Sequence, residues 1–372
     1  MSVDDAIVDA AALRERLAAD LGTPSSFSVA PLGGGNANET LHVEWGERDL
    51  VVRRPPLDEP APDILHDLLR EYAVLDALAD TWVPTPDVLF ACEDESVLGS
   101  EFYVMERLPG DVVDDDPPER FQTRAHRRAV GAETVDTLAK IHDVDVDRVG
   151  LGSLGDPDGY TDRLVSRLTD QLSWATDRTA DRRELPVLWE VADWLADHVP
   201  PMRHRALVHG DYKPDNLLFA PGTPPRINGV LDWEMAGRGD PLVDVGWLLS
   251  YWTEARDPSP VTDDVRDRYA DHDAFPMLEV YAESYSKFMR HEDFHTRREL
   301  LDRYEAQTGV TYADDRFYRA LGVFKLAVLC EGFFRTFLEG SPSAKESYPL
   351  MELLVPTLGR QARQVIDGET PL

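Results

Sequence analysis

Three oxygen-bearing side chains carry the chemistry this sequence advertises. Asp211 and Asn216 stand five positions apart in Leu207-Val-His-Gly-Asp-Tyr-Lys-Pro-Asp-Asn-Leu-Leu-Phe219, and Asp232 closes the following apolar run in Gly229-Val-Leu-Asp-Trp-Glu234. Phosphoryl transfer asks a protein for little covalent help. It needs a carboxylate to accept the hydroxyl proton and oxygen ligands to hold Mg²⁺ against the phosphates. One aspartate at a strand end is ordinarily a turn cap, whereas the full set at this spacing supplies that inventory.

The spacing His209-Gly210-Asp211-x-x-x-x-Asn216 matches the protein-kinase catalytic loop, with Gly210 where arginine is usual. Followed by a hydrophobic-Asp strand end, it resembles the signature of the aminoglycoside phosphotransferase/choline kinase superfamily, and the resemblance runs nearly end to end. It implies a protein-kinase-like fold, ATP or GTP as phosphoryl donor, Mg²⁺ as cofactor and a small-molecule hydroxyl as acceptor. It also implies roles: Asp211 the base, Asn216 and Asp232 the metal ligands, Lys213 a contact to the γ-phosphate. Gly33, Gly34, Gly35 and Asn38 resemble the loop that covers the phosphates, and Met105, Glu106 and Leu108 the hinge that receives adenine. Arg53 stands where the third strand carries a basic residue, often lysine, and Glu71 where a helix glutamate braces it. Arginine meets phosphate through a planar fork instead of a point charge, and the adjacent Arg54 competes for the same task. Asp240 and Asp244 are expected to be structural partners of the loop.

A narrower resemblance lies in Gly150-Leu-Gly-Ser-Leu-Gly-Asp-Pro-Asp-Gly-Tyr160, Asp232-Trp-Glu234 and Phe324-Lys-Leu-Ala-Val-Leu-Cys-Glu-Gly-Phe-Phe-Arg335. These segments are similar to the subgroup fused to acyl-CoA dehydrogenases in animals, which implies a hydroxylated acyl group as acceptor. An aminoglycoside-like acceptor stays open beside it. The helical lobe is expected to form the acceptor site, with Glu234, Trp247, Tyr251, Glu331 and Arg335 as candidates.

These residues need elements to position them. Asp4 to Leu21 has Ile7, Ala11, Leu13, Leu17 and Leu21 near the helical period, with Gly22 placed to stop it. Phe27 to Val29, Thr40 to Trp45 and Leu50 to Arg54 read as strands, Asp63 to Leu78 as a helix, and Val88 to Cys92 and Glu101 to Met105 as two more strands. Asp111 to Glu119 is predicted to be a solvated acidic connection. Beyond it the chain is mainly helical, apart from short β-prone runs at Ala206 to Val208, Leu217 to Phe219 and Ile227 to Leu231. The fold class is therefore α+β and bilobal, with a small antiparallel-sheet lobe over 1–107 and a larger helical lobe over 108–372 that clamp a ligand between them.

Composition narrows the classes. The 372 residues carry 38 Lys+Arg against 70 Asp+Glu, a net charge of −32, yet 42% are hydrophobic and 9% aromatic, which is ample for a core and excludes a disordered acidic tail. A nucleic-acid groove needs a basic patch, so nucleic acid is not an expected partner. Only five of the basic residues are lysine. Abundant aspartate with scarce lysine predicts a halophilic protein, kept dispersed by a hydrated acidic surface at high salt, with an acidic mesophilic protein from a GC-rich genome as the alternative. No apolar run approaches the ~18 residues of a membrane span. The start Met-Ser-Val-Asp-Asp lacks the regions of a signal peptide, and Cys92 and Cys330 stand far apart. A cytoplasmic protein without a membrane partner is expected.

Two other function classes compete. One is a catalytically inactive nucleotide-binding regulator, against which the intact Asp211, Asn216 and Asp232 argue. The other is a zinc hydrolase, because His291-Glu-Asp-Phe-His295 fits His-Glu-x-x-His, a pattern that works only on one helical face. Thr296-Arg-Arg-Glu299 reads as a capping box that starts a helix just afterwards, so His291 and His295 are predicted to be surface histidines of the preceding turn. Gly150-x-Gly-x-x-Gly155 runs into Asp156-Pro157 and a turn, where a dinucleotide fingerprint would open a helix. A protein kinase is disfavoured because Asp232 lies only eight residues before Asp240, too close for a long activation segment.

Overall fold

The computed structural model describes residues 8–32, 38–55, 68–113, 117–259, 261–284, 287–341, 344–370 and 372. Helix α1 (Ala10–Leu21) begins where the Asp9 carboxylate accepts from the amides of Ala11 and Ala12, and it ends at Gly22, whose φ of 77° suits glycine. Five antiparallel strands follow: β1 (Phe27–Pro31), β2 (Glu39–Trp45), β3 (Arg48–Arg54), β4 (Val88–Cys92) and β5 (Phe102–Glu106), in the spatial order β1-β2-β3-β5-β4. Helix α2 (Leu68–Leu78) lies between β3 and β4, and a one-turn helix α3 (Glu95–Leu98) between β4 and β5. The first part of the expected 63–78 helix lies outside the described residues.

Successive strand residues face opposite sides of a sheet, and this sheet uses both. Leu41, Val43, Leu50, Val52, Phe102 and Val104 pack with Leu13 and Leu17 of α1 in an outer core. Val51, Tyr103 and Met105 face the other way and join Leu68, Leu75 and Leu78 of α2 in the main core, which continues into the helical part of the chain. That alternation separates the two arginines of β3. Arg53 shares the inner face with Val51, while Arg54 turns outward, where its Nε donates to Glu39 at 2.7 Å and its Nη1 to the carbonyl of Leu98 at 2.8 Å.

The acidic connection is only partly what its composition suggests. Asp111 and Val112 form β6 (Asp111–Val112), which pairs with β8 (Leu217–Phe219), and Val113 is fully buried. The physical reason is non-local: β8 also pairs with β9 (Ile227–Val230), and the linker completes that small sheet as its edge. Residues 114–116 lie outside the description. Around this sheet are α4 (Arg124–His142), α5 (Tyr160–Thr179), α6 (Pro186–Asp197), α7 (Pro241–Tyr251), α8 (Asp263–Tyr269), α9 (Phe275–Ser284), α10 (Arg297–Thr308), α11 (Asp315–Leu338) and α12 (Met351–Asp367). Strand β7 (Ala206–Val208) pairs antiparallel with β10 (Gly237–Gly239).

The long helix α11 packs against α5, α7 and α12. It crosses α7 closely at two glycines. A Cβ on Gly246 would stand 2.5 Å from the Tyr318 carbonyl oxygen, and one on Gly322 2.8 Å from Ser250 Oγ. Among the described residues no helix is long and apolar enough to cross a membrane.

Candidate active site

The loop between β7 and β8 is held from three sides. His209 is fully buried, and burial lowers its pKa despite the acidic groups around it. Its contacts suit the neutral ring: Nε2 donates to the Leu231 carbonyl at 3.0 Å, and Nδ1 accepts from the Asp211 amide at 3.1 Å. The Asp244 carboxylate accepts from the amides of His209 and Gly210 at 2.7 and 2.9 Å, and it is backed by His142 Nε2 at 3.3 Å. Gly210 has φ 82°, and a Cβ there would stand 2.5 Å from the Met235 carbonyl oxygen. The site therefore leaves no room for the arginine that protein kinases carry at this position. Asp240 caps α7 through the Leu242 amide at 3.0 Å and accepts from the Tyr318 hydroxyl at 2.7 Å. Asp244 braces the loop directly, as expected, whereas the hydrogen bonds of Asp240 go to α7 and α11 and not to the loop.

The two oxygens of Asp211 differ. Oδ2 accepts from Asn216 Nδ2 at 2.9 Å and lies 3.1 Å from Lys213 Nζ, whereas Oδ1 is buried and meets no hydrogen-bond donor. Burial works to raise this carboxyl, but Lys213, Lys325 and His209 overcome it and hold it below the ordinary aspartate value. Lys325 is the residue that spacing did not reveal. It projects from α11, is buried, donates to the Gly210 carbonyl 115 positions earlier, and lies 4.1 Å from the centre of the Trp247 ring. Burial pushes its ammonium down to about 8. The available signal was a lone lysine inside an apolar helical run in a chain with five lysines.

Asp232 follows β9 in the left-handed region at φ 68°, a conformation that aspartate tolerates better than most residues. The next residue, Trp233, is fully buried; its indole donates to the Val230 carbonyl at 3.0 Å and its amide to Glu71 Oε1 at 3.2 Å. Arg53 then links the two carboxylates: Nη1 donates to Glu71 Oε1 at 2.7 Å and Nη2 to Asp232 Oδ1 at 3.0 Å. Burial raises the Glu71 carboxyl against the pull of Arg53. Of the expected phosphate loop, Asn38 is described, and its Nδ2 donates to Glu234 at 3.2 Å; Gly33, Gly34 and Gly35 lie outside the described residues. Met105 and Glu106 end β5, and Leu108 lies over Gly229 of β9, so this segment borders the sheet that carries Asp232.

Other candidates fall elsewhere. Glu331 is buried against Arg183 at 2.6 Å, and Arg335 stacks 4.1 Å from the Trp174 ring, so these two tie α11 to α5 and to the connection that follows it. The capping box at Thr296 and Glu299 forms as expected and starts α10 after the two histidines. His291 faces the guanidinium of Arg127 at 3.0 Å on the surface. The surface placement expected for His295 is wrong: it is buried against Gly131 of α4, because the Trp252 indole draws its backbone inward by donating to its carbonyl at 2.7 Å.

The donor set near Asp211 fits a hard cation. Asn216 commits its amide nitrogen to Asp211, which leaves its carbonyl oxygen to offer, and Asp232 supplies a partly exposed carboxylate beside it in the fold. Oxygen donors without histidine or cysteine suit Mg²⁺ and not zinc.

A family model described as the phosphotransferase enzyme family matches residues 28–278. The chain belongs to that family. Acyl-CoA dehydrogenase family member 10 of Mus musculus is 31% identical over 348 residues, covering 92% of this chain and 30% of that protein. Acyl-CoA dehydrogenase family member 11 of Homo sapiens is 28% identical over 337 residues, covering 89% and 39%. This member of the family thus spans well under half the length of these curated relatives. A Ralstonia eutropha protein assigned by name to the aminoglycoside phosphotransferases superposes with a TM-score of 0.68 at 28% identity, covering 95% of this chain and 99% of that one. Choline kinase of Cryptosporidium parvum superposes at 0.63 with 11% identity and 97% coverage of each chain, which speaks to the fold alone. The protein-kinase-like fold that the resemblance implies is borne out.

Proposed function

We propose that this phosphotransferase moves the γ-phosphoryl group of ATP or GTP onto the hydroxyl of a small molecule in the cytoplasm, between an N-terminal nucleotide lobe (1–107) and a C-terminal acceptor lobe (108–372). One observation carries the reading: Asp211 has one oxygen tied to Asn216 and Lys213 and the other buried without a partner. A carboxylate so divided is oriented, ionised and still able to receive a proton.

In this reading Asp211 Oδ1 takes the acceptor's hydroxyl proton as its oxygen bonds to the γ-phosphorus and the bond to the nucleoside diphosphate breaks. Mg²⁺ held by Asn216 and Asp232 supplies charge neutralisation on the phosphates. Lys213 adds a point charge to the transferring group. Arg53, braced by Glu71, sets Asp232 and faces the phosphate tail, with Asn38 held near it through Glu234, and Met105 to Leu108 border the base. The acidic surface supports work at high salt.

A hydroxyacyl thioester is the first acceptor to try, because the relatives at 31% and 28% identity bear acyl-CoA dehydrogenase names; an aminoglycoside is the second. Labelled γ-phosphate from ATP or GTP, offered with Mg²⁺ and each acceptor, should appear in the organic product with wild type and not with Asp211→Asn. Transfer that persists in Asp211→Asn would overturn the assignment of the base.

A further inference from the structure

A cavity lies in the helical part, and its lining shares no residue with the site around Asp211. It has a volume of about 210 Å³ and is bounded by α7, α9, α11, α12 and the start of α10. Four arginines border it: Arg290, Arg297, Arg319 and Arg360. Asp257 lines it with them, so arginine outnumbers acid along this wall in a chain of net charge −32. Arg297 and Arg319 are fixed by carboxylates. Arg297 donates to Asp257 at 2.9 Å, and Arg319 donates to Asp315 at 2.7 and 2.8 Å. At Arg290 the Nε is buried and has no hydrogen-bond acceptor.

A buried guanidinium nitrogen without an acceptor is costly unless something else supplies one. The rest of the wall is mixed. Leu249, Val323, Leu326 and Leu358 give it an apolar side, and Ser250 and Gln361 add neutral polar groups. We propose that this cavity binds a small organic anion, with its oxyanion head on the Arg290 fork and a short aliphatic body against the leucines. A carboxylate and a phosphate monoester share the head-group chemistry, since both accept two parallel N–H bonds from arginine. The volume falls below the roughly 300–1,000 Å³ of drug-sized sites, which limits the ligand to a short chain.

The test is calorimetric titration of the full chain in concentrated KCl with hexanoate, butyl phosphate, inorganic phosphate and, as the cationic control, hexylamine. Binding of hexanoate or butyl phosphate, at least tenfold weaker in Arg290→Gln and in Leu326→Trp and unchanged in Asp211→Asn, supports the site. The stronger of the two probes identifies the head group. Arg290→Lys, which retains charge without the fork, should bind more weakly than wild type and guards against a folding defect in Arg290→Gln. Absence of binding by both organic anions, equal affinity for hexylamine, binding by inorganic phosphate alone, or binding lost in Asp211→Asn but intact in Arg290→Gln would overturn the proposal.

Discussion

Arg53 meets Asp232 at 3.0 Å across 179 residues of sequence, and the same guanidinium holds Glu71 at 2.7 Å. Strand β3, helix α2 and the end of β9 are thereby joined through one buried cation. Without it, two carboxylates face each other, one of them fully buried. Arg53→Ala is expected to destabilise the fold by roughly 3–5 kcal/mol, read as a lower urea midpoint. Arg53→Lys retains the charge but cannot reach both partners through a fork, so a smaller loss is expected. Equal stability of Arg53→Ala and wild type would show that the bridge does not hold the elements together.

Gly210 tests how tightly the loop is built. Its φ of 82°, and the 2.5 Å that would separate an added Cβ from the Met235 carbonyl oxygen, leave no relaxed place for alanine. Gly210→Ala is expected to cost about 1–3 kcal/mol of stability through backbone strain. Displacement of the adjacent Asp211 should lower kcat by roughly a hundredfold. Thermal melting and steady-state kinetics on the same preparation read both effects.

Much of this arrangement is legible in the sequence, for reasons that differ by element. Val88–Cys92 and Leu217–Phe219 form strands as expected because their flanking turns and apolar runs are local signals. The Asp211 and Asn216 pairing is likewise local, since five residues of one loop hold both. The strand at Asp111 and Val112 is not legible: two residues in an acidic stretch pair only because β8 lies beside them. Lys325 is hidden for a related reason. It reaches Gly210 through the crossing of α7 and α11 at Gly246 and Gly322, a contact no spacing rule encodes. The choice between Arg53 and Arg54 needs the register of β3, which sends them to opposite faces. The burial of His295 depends on Trp252, 43 residues away, and so leaves no mark in its own surroundings.

Lys325 should act through Asp211. Burial works to raise the Asp211 carboxyl, and Lys213 and Lys325 together hold it below the ordinary value. Removing one cation raises the pKa of a carboxyl that, as the proposed base, must be ionised to accept a proton. In Lys325→Met the acid limb of the kcat/KM profile is therefore expected to move to higher pH, so that activity fails earlier as pH falls. A variant with lower kcat and an unmoved acid limb would mean that Lys325 serves packing alone.

The net charge of −32 gives a further expectation. Exposed like charges repel within a Debye length of about 10 Å at 0.1 M salt and about 3 Å at 1 M. The melting temperature should rise steadily as KCl is increased from dilute buffer into the molar range. A melting temperature independent of KCl would contradict the halophilic reading.

The central claim is a nucleotide site assembled from Arg53, Asn216, Asp211 and Asp232. Its most direct test is the melting temperature of wild type and Asp232→Asn in concentrated KCl, with and without MgATP or MgGTP. Ligand at 100 times its dissociation constant stabilises a protein by roughly 2.7 kcal/mol. The expected result is a Mg²⁺-dependent rise for wild type with at least one nucleotide, and a much smaller rise for Asp232→Asn. No rise with either nucleotide in folded wild-type protein, or an equal rise in Asp232→Asn, would contradict the account.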